Sequence, residues 1–262
     1  MEAHQADRGG IIVLEETRST NEELAALARS GGAGHGTAVR AVAQTAGRGR
    51  RAHGWASPAG GLYLSIAISP RVDADQLPGL PVACGLGVIA ALDGAGARGA
   101  RLKWPNDIVT GRGKLGGILV ELVQAAAGPI AVCGIGINMS TPSRPQLEPG
   151  ALAPVGLDAL PPVGEPVDAE GLAPLVRDAV LESCARWADG LGPGDAPLSS
   201  IVQDYNDVLA FRGDPVRVAP VDGDAYDEGV LIGVDALGRA IIDRPGGPLA
   251  IDASLASIRP RD

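Results

Sequence analysis

The sequence predicts an α+β fold in which helices and strands share one body over residues 1–212 and a small antiparallel β-barrel occupies residues 213–262. Three observations predict it. Apolar, β-branched runs of strand length are interspersed with helical stretches as far as Phe211. After Arg212-Gly213 the texture changes to short apolar runs, "DPVRVAP", "EGVLIGVD", "RAIID" and "PLAID", parted by Gly, Asp and Pro. Aromatics are only 3% of a chain that is 45% hydrophobic, so Val, Ile, Leu and Ala must build the core.

Taken in order, Ile11 to Leu14 is a short strand. "STNEELAALARSGG" then predicts a helix capped by Ser19 or Thr20, with Glu22 or Glu23 completing a capping box and Gly31-Gly32 ending it. "GTAVRAVAQT" is a strand that runs into the polar loop "AGRGRRAHGWASPAG", and "GLYLSIAIS" is the next strand. Residues 81–93, "PVACGLGVIAALD", predict an apolar helix with Pro81 near its start. "ARLKW" leads to a turn at Pro105 to Asp107, a short strand "IVT", a hairpin tip "GRG" and a long strand "KLGGILVELV". "PIAVCGIGINM" is a further buried strand. Residues 141–168 hold seven prolines and no clear period, which predicts a long irregular excursion. Amphipathic helices are expected at about 170–190 and 197–211.

The formal net charge of −9 argues against general nucleic-acid binding, which needs a basic face to displace counterions from phosphates. Cys84, Cys133 and Cys184 are odd in number, far apart and without CxxC spacing, so neither a disulfide framework nor a zinc site is indicated. No cationic start precedes an apolar run at the N-terminus, and no uninterrupted apolar stretch is long enough to span a bilayer. A reducing cytoplasm is the expected location.

Standard nucleotide signatures fail. "GAGARG" (94–99) fits G-x-G-x-x-G but follows a helix and precedes a strand, the reverse of what aims a helix at a pyrophosphate. "GRGK" lacks the first P-loop glycine, and Leu115 stands where a magnesium-binding hydroxyl belongs. Three other features carry chemistry. In "GRGRRAHGW", Arg48, Arg50 and Arg51 offer donors suited to phosphate, and Trp55 offers a flat face; a solvated basic loop is the alternative. The chain has 22 Lys plus Arg yet only two lysines, Lys103 in "KWPND" and Lys114 in "GKLGG", placed to flank a hairpin and aim two ammoniums at one pocket. Turn chemistry and a hairpin-tip lysine are the bland readings of these two motifs. In "GIGIN" (134–138) alternate glycines bare one strand face and Asn138 ends it; a close sheet crossing would explain this equally.

In order, "STNEE", "QTAGRGRRAHGW", "SPAGGLYLSI", "LKWPND", "GKLGGILVE" and "GIGIN" resemble the biotin protein ligases over about residues 11–140. The resemblance implies the class II synthetase-like fold of biotin and lipoate ligases, a mixed β-sheet packed with helices, with an SH3-like C-terminal barrel. It implies an enzyme that uses ATP and Mg²⁺ to activate biotin as biotinyl-5′-adenylate. Biotin then passes to a lysine of the biotin carboxyl carrier domain of acetyl-CoA carboxylase.

By position in the matching motifs, Lys114, Arg48 and Arg50 are expected to be catalytic. Ser19, Thr20, Asn21, Gln44, Arg48, Gly49, Arg50, Lys114 and Gly117 should bind biotin. Arg50, Arg51, Trp55, Lys103, Asn106, Asp107 and Asn138 should bind ATP or the adenylate, with Asp107 holding magnesium or orienting Lys103. Bifunctional relatives repress through an N-terminal winged helix-turn-helix. Only ten residues precede the first strand here, so the expectation is no DNA binding, no membrane association, and a monomer or weak homodimer. A lipoate-protein ligase, or a non-catalytic biotin-binding sensor or repressor, is the alternative; the full "GRGRR…W" loop and the barrel favour biotin.

Overall fold

The computed structural model describes residues 6–8, 10–52, 54–111, 113–126, 128–142, 152–160, 167–220 and 227–261. Eight strands, β1 (Ala6–Arg8), β2 (Ile11–Thr17), β3 (Ala38–Gln44), β4 (Leu62–Ile68), β5 (Arg101–Lys103), β6 (Asp107–Thr110), β7 (Gly113–Ala125) and β8 (Gly128–Ile137), form one sheet. Its spatial order is β1-β2-β3-β4-β8-β7-β6-β5. Only β2 and β3 run parallel, joined by the crossover helix α1 (Thr20–Arg29), so the sheet is mixed.

Every residue of β4 is buried, as its apolar sequence, interrupted by Ser65, requires of a mid-sheet strand covered on both faces. On one face Leu24, Ala25 and Ala28 of α1 meet Val39, Ala67, Ile130 and Val132. On the other, Leu62, Leu64, Ile66 and Ile68 meet α2 (Leu80–Gly94) and α3 (Ala169–Asp189) through Cys84, Val88, Leu92, Val176 and Val180. The two helices cross so closely that a Cβ at Gly87 would stand 2.6 Å from Cα of Val180. The helical run Leu77–Gly94 has a mean hydropathy of 1.5 over 18 residues, long and apolar enough to cross a membrane, contrary to the sequence expectation. Here it is the core helix, with Leu80, Val88 and Leu92 enclosed by the sheet and α3.

Three local expectations change. Ser19 is the N-cap of α1 but its hydroxyl makes no capping bond, and no capping box forms: the Glu22 carboxylate faces Arg18 Nε at 3.5 Å and Arg48 Nε at 3.8 Å, and that of Glu23 accepts from Thr17 Oγ1 at 2.6 Å. The helix expected at 197–211 is shorter: α4 spans Val202–Val208. Leu209 and Ala210 leave it to line the sheet edge, where Ala210 N donates to Leu102 O at 2.8 Å. Within the Pro-rich excursion, 143–151 and 161–166 lie outside the described residues. Residues 152–156 return beside β7: Lys114 N donates to Ala153 O at 2.8 Å and Val155 N to Lys114 O at 2.9 Å. Gly113 (φ +151°) sits against the Ala153 carbonyl, where a side chain would collide.

After α4, β9 (Pro215–Pro220), β10 (Asp227–Val234), β11 (Ala240–Asp243), β12 (Leu249–Ile251) and β13 (Ala256–Pro260) form a five-stranded antiparallel sheet in the order β12-β11-β10-β9-β13. It touches the first sheet through Trp104, whose buried indole N–H donates to Gly238 O at 3.0 Å.

Candidate active site

The two lysines are not on the arms of one hairpin. They lie on β5 and β7, with β6 between them. Lys103 is directly opposite Asp107 across a tight turn. Between the pairs Ile108↔Gly116 and Val109↔Lys114, β7 carries one extra residue, Leu115. Without that bulge, side-chain alternation would put Lys114 on the face opposite Gly117; with it, Lys114, Asp107 and Gly117 share one face. The outcome is a clamp: Lys103 Nζ lies 2.9 Å from Asp107 Oδ2, and Lys114 Nζ 2.6 Å from Oδ1.

Burial alone would raise the Asp107 carboxyl, but Lys103 and Lys114 outweigh it and hold the group below the usual carboxylate range. Two cations on one anion leave a net positive centre, with the Lys103 side chain 8% exposed and that of Lys114 31%. Tyr205 of α4 is fully buried, and burial followed by the Asp107 charge drives its phenol well up. Tyr205 is absent from the sequence-derived set because an aromatic on a short helix looks like ordinary core.

The glycine strands form a trough beside this clamp. A Cβ at Gly134 would strike the Asn21 amide, and one at Gly136 would stand 2.6 Å from Trp55 Nε1. Gly117 lies beneath the same indole, whose ring centroid is 5.4 Å from Lys114 Nζ. Trp55 Nε1 is buried without a hydrogen-bond partner.

At the far end of the trough a polar network is built from the start of α1. Ser19, Thr20 and Asn21 are buried, at 3%, 4% and 5% exposure. Gln44 Oε1 accepts from Thr20 N at 2.8 Å, and Gln44 Nε2 donates to Ser57 Oγ at 2.8 Å. Ser65 Oγ donates to Asn21 Oδ1 at 2.6 Å, while Asn21 Nδ2 donates to Glu121 Oε2 at 2.8 Å. Ser57, Ser65 and Glu121 are further members that the sequence reading did not select. Their only local signal is a polar side chain within an apolar run or after a loop.

The arginine loop is pinned at its base by Trp55 N donating to Gly47 O at 2.8 Å, and the strand-like contact Arg48↔Gly54 brackets Gly49. The three arginines then diverge. Arg48 Nη2 donates to Glu121 Oε2 at 2.9 Å, with Glu22 Oε1 3.8 Å from its Nε. Arg50 Nη2 donates to Ala253 O at 2.7 Å. Arg51, with φ 55°, donates to Ala253 O at 3.1 Å and Ser254 O at 3.2 Å. Burial and then repulsion from Arg51 lower the Arg50 guanidinium, opposed by Asp107 and Asp252, so Arg50 stands between the clamp and the second sheet.

Asn106 and Asn138, expected at the nucleotide, brace backbone: Asn106 Nδ2 donates to Ile118 O at 3.0 Å, and Asn138 Nδ2 to Val155 O at 3.3 Å and Lys114 O at 3.4 Å. Asp107, considered for magnesium, has both oxygens on ammonium groups, which fits the other role considered for it, orienting Lys103. Among the described residues no group of three or more His, Cys, Asp or Glu is placed to hold a metal. A surface cleft of about 500 Å³ over β5, β6 and residues 206–214 contains none of these side chains.

A mixed sheet with a cationic clamp, a glycine trough and an arginine loop defines a ligase domain of the biotin and lipoate type. The model of the Biotin/lipoate A/B protein ligase family matches residues 13–138, from β2 to Asn138. The biotin–[acetyl-CoA-carboxylase] ligase of Paracoccus denitrificans is 34% identical over 247 residues, covering 92% of this chain and 98% of that protein. Its namesake in Mycobacterium tuberculosis is 30% identical over 246 residues, covering 92% of this chain and 86% of that one. Among solved structures, the biotin protein ligase from Aquifex aeolicus in complex with biotin and ATP aligns with a TM-score of 0.78 at 26% identity, over 97% of this chain and 100% of that chain. This chain belongs to the biotin protein ligases.

Proposed function

We propose that this protein activates biotin with ATP and transfers it to a lysine of a biotin carboxyl carrier domain of acetyl-CoA carboxylase. The observation that carries the reading is the clamp of Lys103 and Lys114 on Asp107 beside a trough of bare glycine backbone. Adenylation brings a carboxylate against a phosphate, and both are anions. A preassembled site with excess positive charge lowers that barrier without reorganising.

In the first step a biotin carboxylate oxygen bonds to the α-phosphorus, the bond to the β-phosphate oxygen breaks, and pyrophosphate leaves. Lys114, the more open of the two lysines, exchanges its hold on Asp107 for the carboxylate and α-phosphate oxygens. Lys103 stays to keep Asp107 in place. Arg50 takes part of the phosphate charge, since its present partner is a neutral carbonyl. Magnesium, when bound, would come with the nucleotide and supply further neutralisation of phosphate charge; Asp107, the carboxylate considered for it, has both oxygens on ammonium groups. In the second step the acceptor amine attacks the mixed-anhydride carbonyl, loses a proton, and AMP leaves. Trp55 over the trough excludes water from that anhydride.

Ser19, Thr20, Asn21 and Gln44 form the polar end that reads the biotin head, with Gly117 beneath the chain. Asn106, Asn138 and Arg51 shape the nucleotide side. Residues 213–262 form a separate SH3-like barrel that supports the loop from behind. The acidic charge of −9 favours no nucleic-acid partner. The test is a mixture of the protein, ATP·Mg²⁺, labelled biotin and a carrier domain: labelled acceptor and biotin-dependent pyrophosphate release are expected. Release of pyrophosphate driven by lipoate but not by biotin would overturn the substrate assignment.

A further inference from the structure

We infer that Glu121 is a positioning residue that straps the arginine loop over the biotin pocket through the Arg48 side chain. The inference rests on the reading of the site as a biotin-activating centre. One oxygen, Glu121 Oε2, accepts from Arg48 Nη2 at 2.9 Å and from Asn21 Nδ2 at 2.8 Å. It therefore joins a loop residue to a buried member of the pocket floor.

Charge separates the two outer arginine roles. Arg48 is bonded to the Glu121 carboxylate and lies 3.8 Å from Glu22, which it shares with Arg18. Arg50 and Arg51 rest on neutral carbonyl oxygens. A guanidinium in a charge-assisted bond to a carboxylate is held in place, whereas one on a neutral acceptor exchanges partners more readily.

Geometry sets the direction of coupling. Asn21 is 5% exposed, its Oδ1 accepting from Ser65 Oγ and its side chain seated where Gly134 has no Cβ. Glu121 thereby fixes which way the Asn21 amide faces, its N–H groups toward β7 and its oxygen toward β4. Asn21 and Glu121 are held together without any ligand, and Arg48 finds a fixed partner on them. Loop closure is then conditional on an ordered pocket floor.

The experiment is a double-mutant cycle of Arg48→Ala and Glu121→Gln. Glu121→Gln keeps the shape and an acceptor for Asn21 while removing the charge. Each single variant should raise the biotin KM roughly five- to tenfold and leave the ATP KM within about twofold, with the double variant no worse than either single one. Each should also release more biotinyl-adenylate to hydrolysis, seen as ATP consumed in excess of acceptor labelled. A loss in kcat of roughly a hundredfold for Arg48→Ala alone, with Glu121→Gln unaffected, would show that Arg48 acts independently of Glu121 and overturn the inference. So would multiplicative effects in the double variant. A substrate-free arm separates this from failure of the functional reading. Limited trypsin digestion without ligands should cut after Arg50 and Arg51 several-fold faster in Glu121→Gln than in the parent. Equal rates refute the strap even if no biotin is ever activated.

Discussion

Replacing Asp107 by Asn isolates the clamp. The substitution keeps the side-chain volume and one acceptor oxygen but removes the charge shared by Lys103 and Lys114. Lys103 bears the consequence, because its side chain is 8% exposed and its bond to Asp107 is 2.9 Å. Removing one member of a buried ion pair costs about 3–5 kcal/mol, most of it the penalty of an unmatched buried charge. Lys114, at 31% side-chain exposure, reaches water and adds little. Taking the lower figure, since the amide oxygen still accepts, the loss is about 3 kcal/mol, or a Tm fall of roughly 6–12 °C for a body of this size. Thermal unfolding followed by far-UV circular dichroism at pH 7 measures it.

The same variant has a pH signature. Asp107 is held below the unfolded value of about 3.9, so its contribution is present above that value and disappears as pH falls through the folded one. The gap between parent and Asp107→Asn should therefore be constant from pH 5 to 7 and shrink below about pH 4. A Tm difference under about 2 °C at pH 7 would refute the assignment of Lys103 as a buried cation dependent on this carboxylate.

Other variants test separate parts. Lys114→Ala should lower biotin-dependent ATP–pyrophosphate exchange by roughly a hundredfold or more with little change in Tm; activity within a few-fold of the parent removes Lys114 from the chemistry. Gly134→Ala puts a methyl into the Asn21 amide and should raise the biotin KM well before the ATP KM, so equal effects on both argue against a biotin-head pocket there. Gly87→Ala forces α2 off the α3 backbone, with an expected loss of about 1–3 kcal/mol in urea unfolding and no selective effect on either substrate. An unchanged midpoint would mean that the two helices separate freely.

Strands and glycine faces were legible because their causes are local. The largely apolar run of β4 states its burial in the sequence itself, and the alternate glycines of β8 state a bare strand face. The two lysines were legible by their rarity. Their geometry was not: a single hairpin fits the spacing as well as a three-strand meander, and the bulge at Leu115 leaves no compositional mark. Glu121 carries no local signal of its role, since its partners are 73 and 100 positions away. The Pro-rich segment lacks any period, yet residues 153–155 complete the backbone pairing of Lys114. Ladder pairing contributed by a distant chain is invisible to periodicity.

The contact between Arg50 and the carbonyl of Ala253 spans 203 positions of a 262-residue chain. During synthesis the first of these residues leaves the ribosome long before the second exists. A nascent chain therefore carries its lysines, glycines and arginines without the surface on which Arg50 rests. The loop gains that support only once residue 253 has been made, so a copy cut short before it is a poor custodian of a reactive acyl-adenylate.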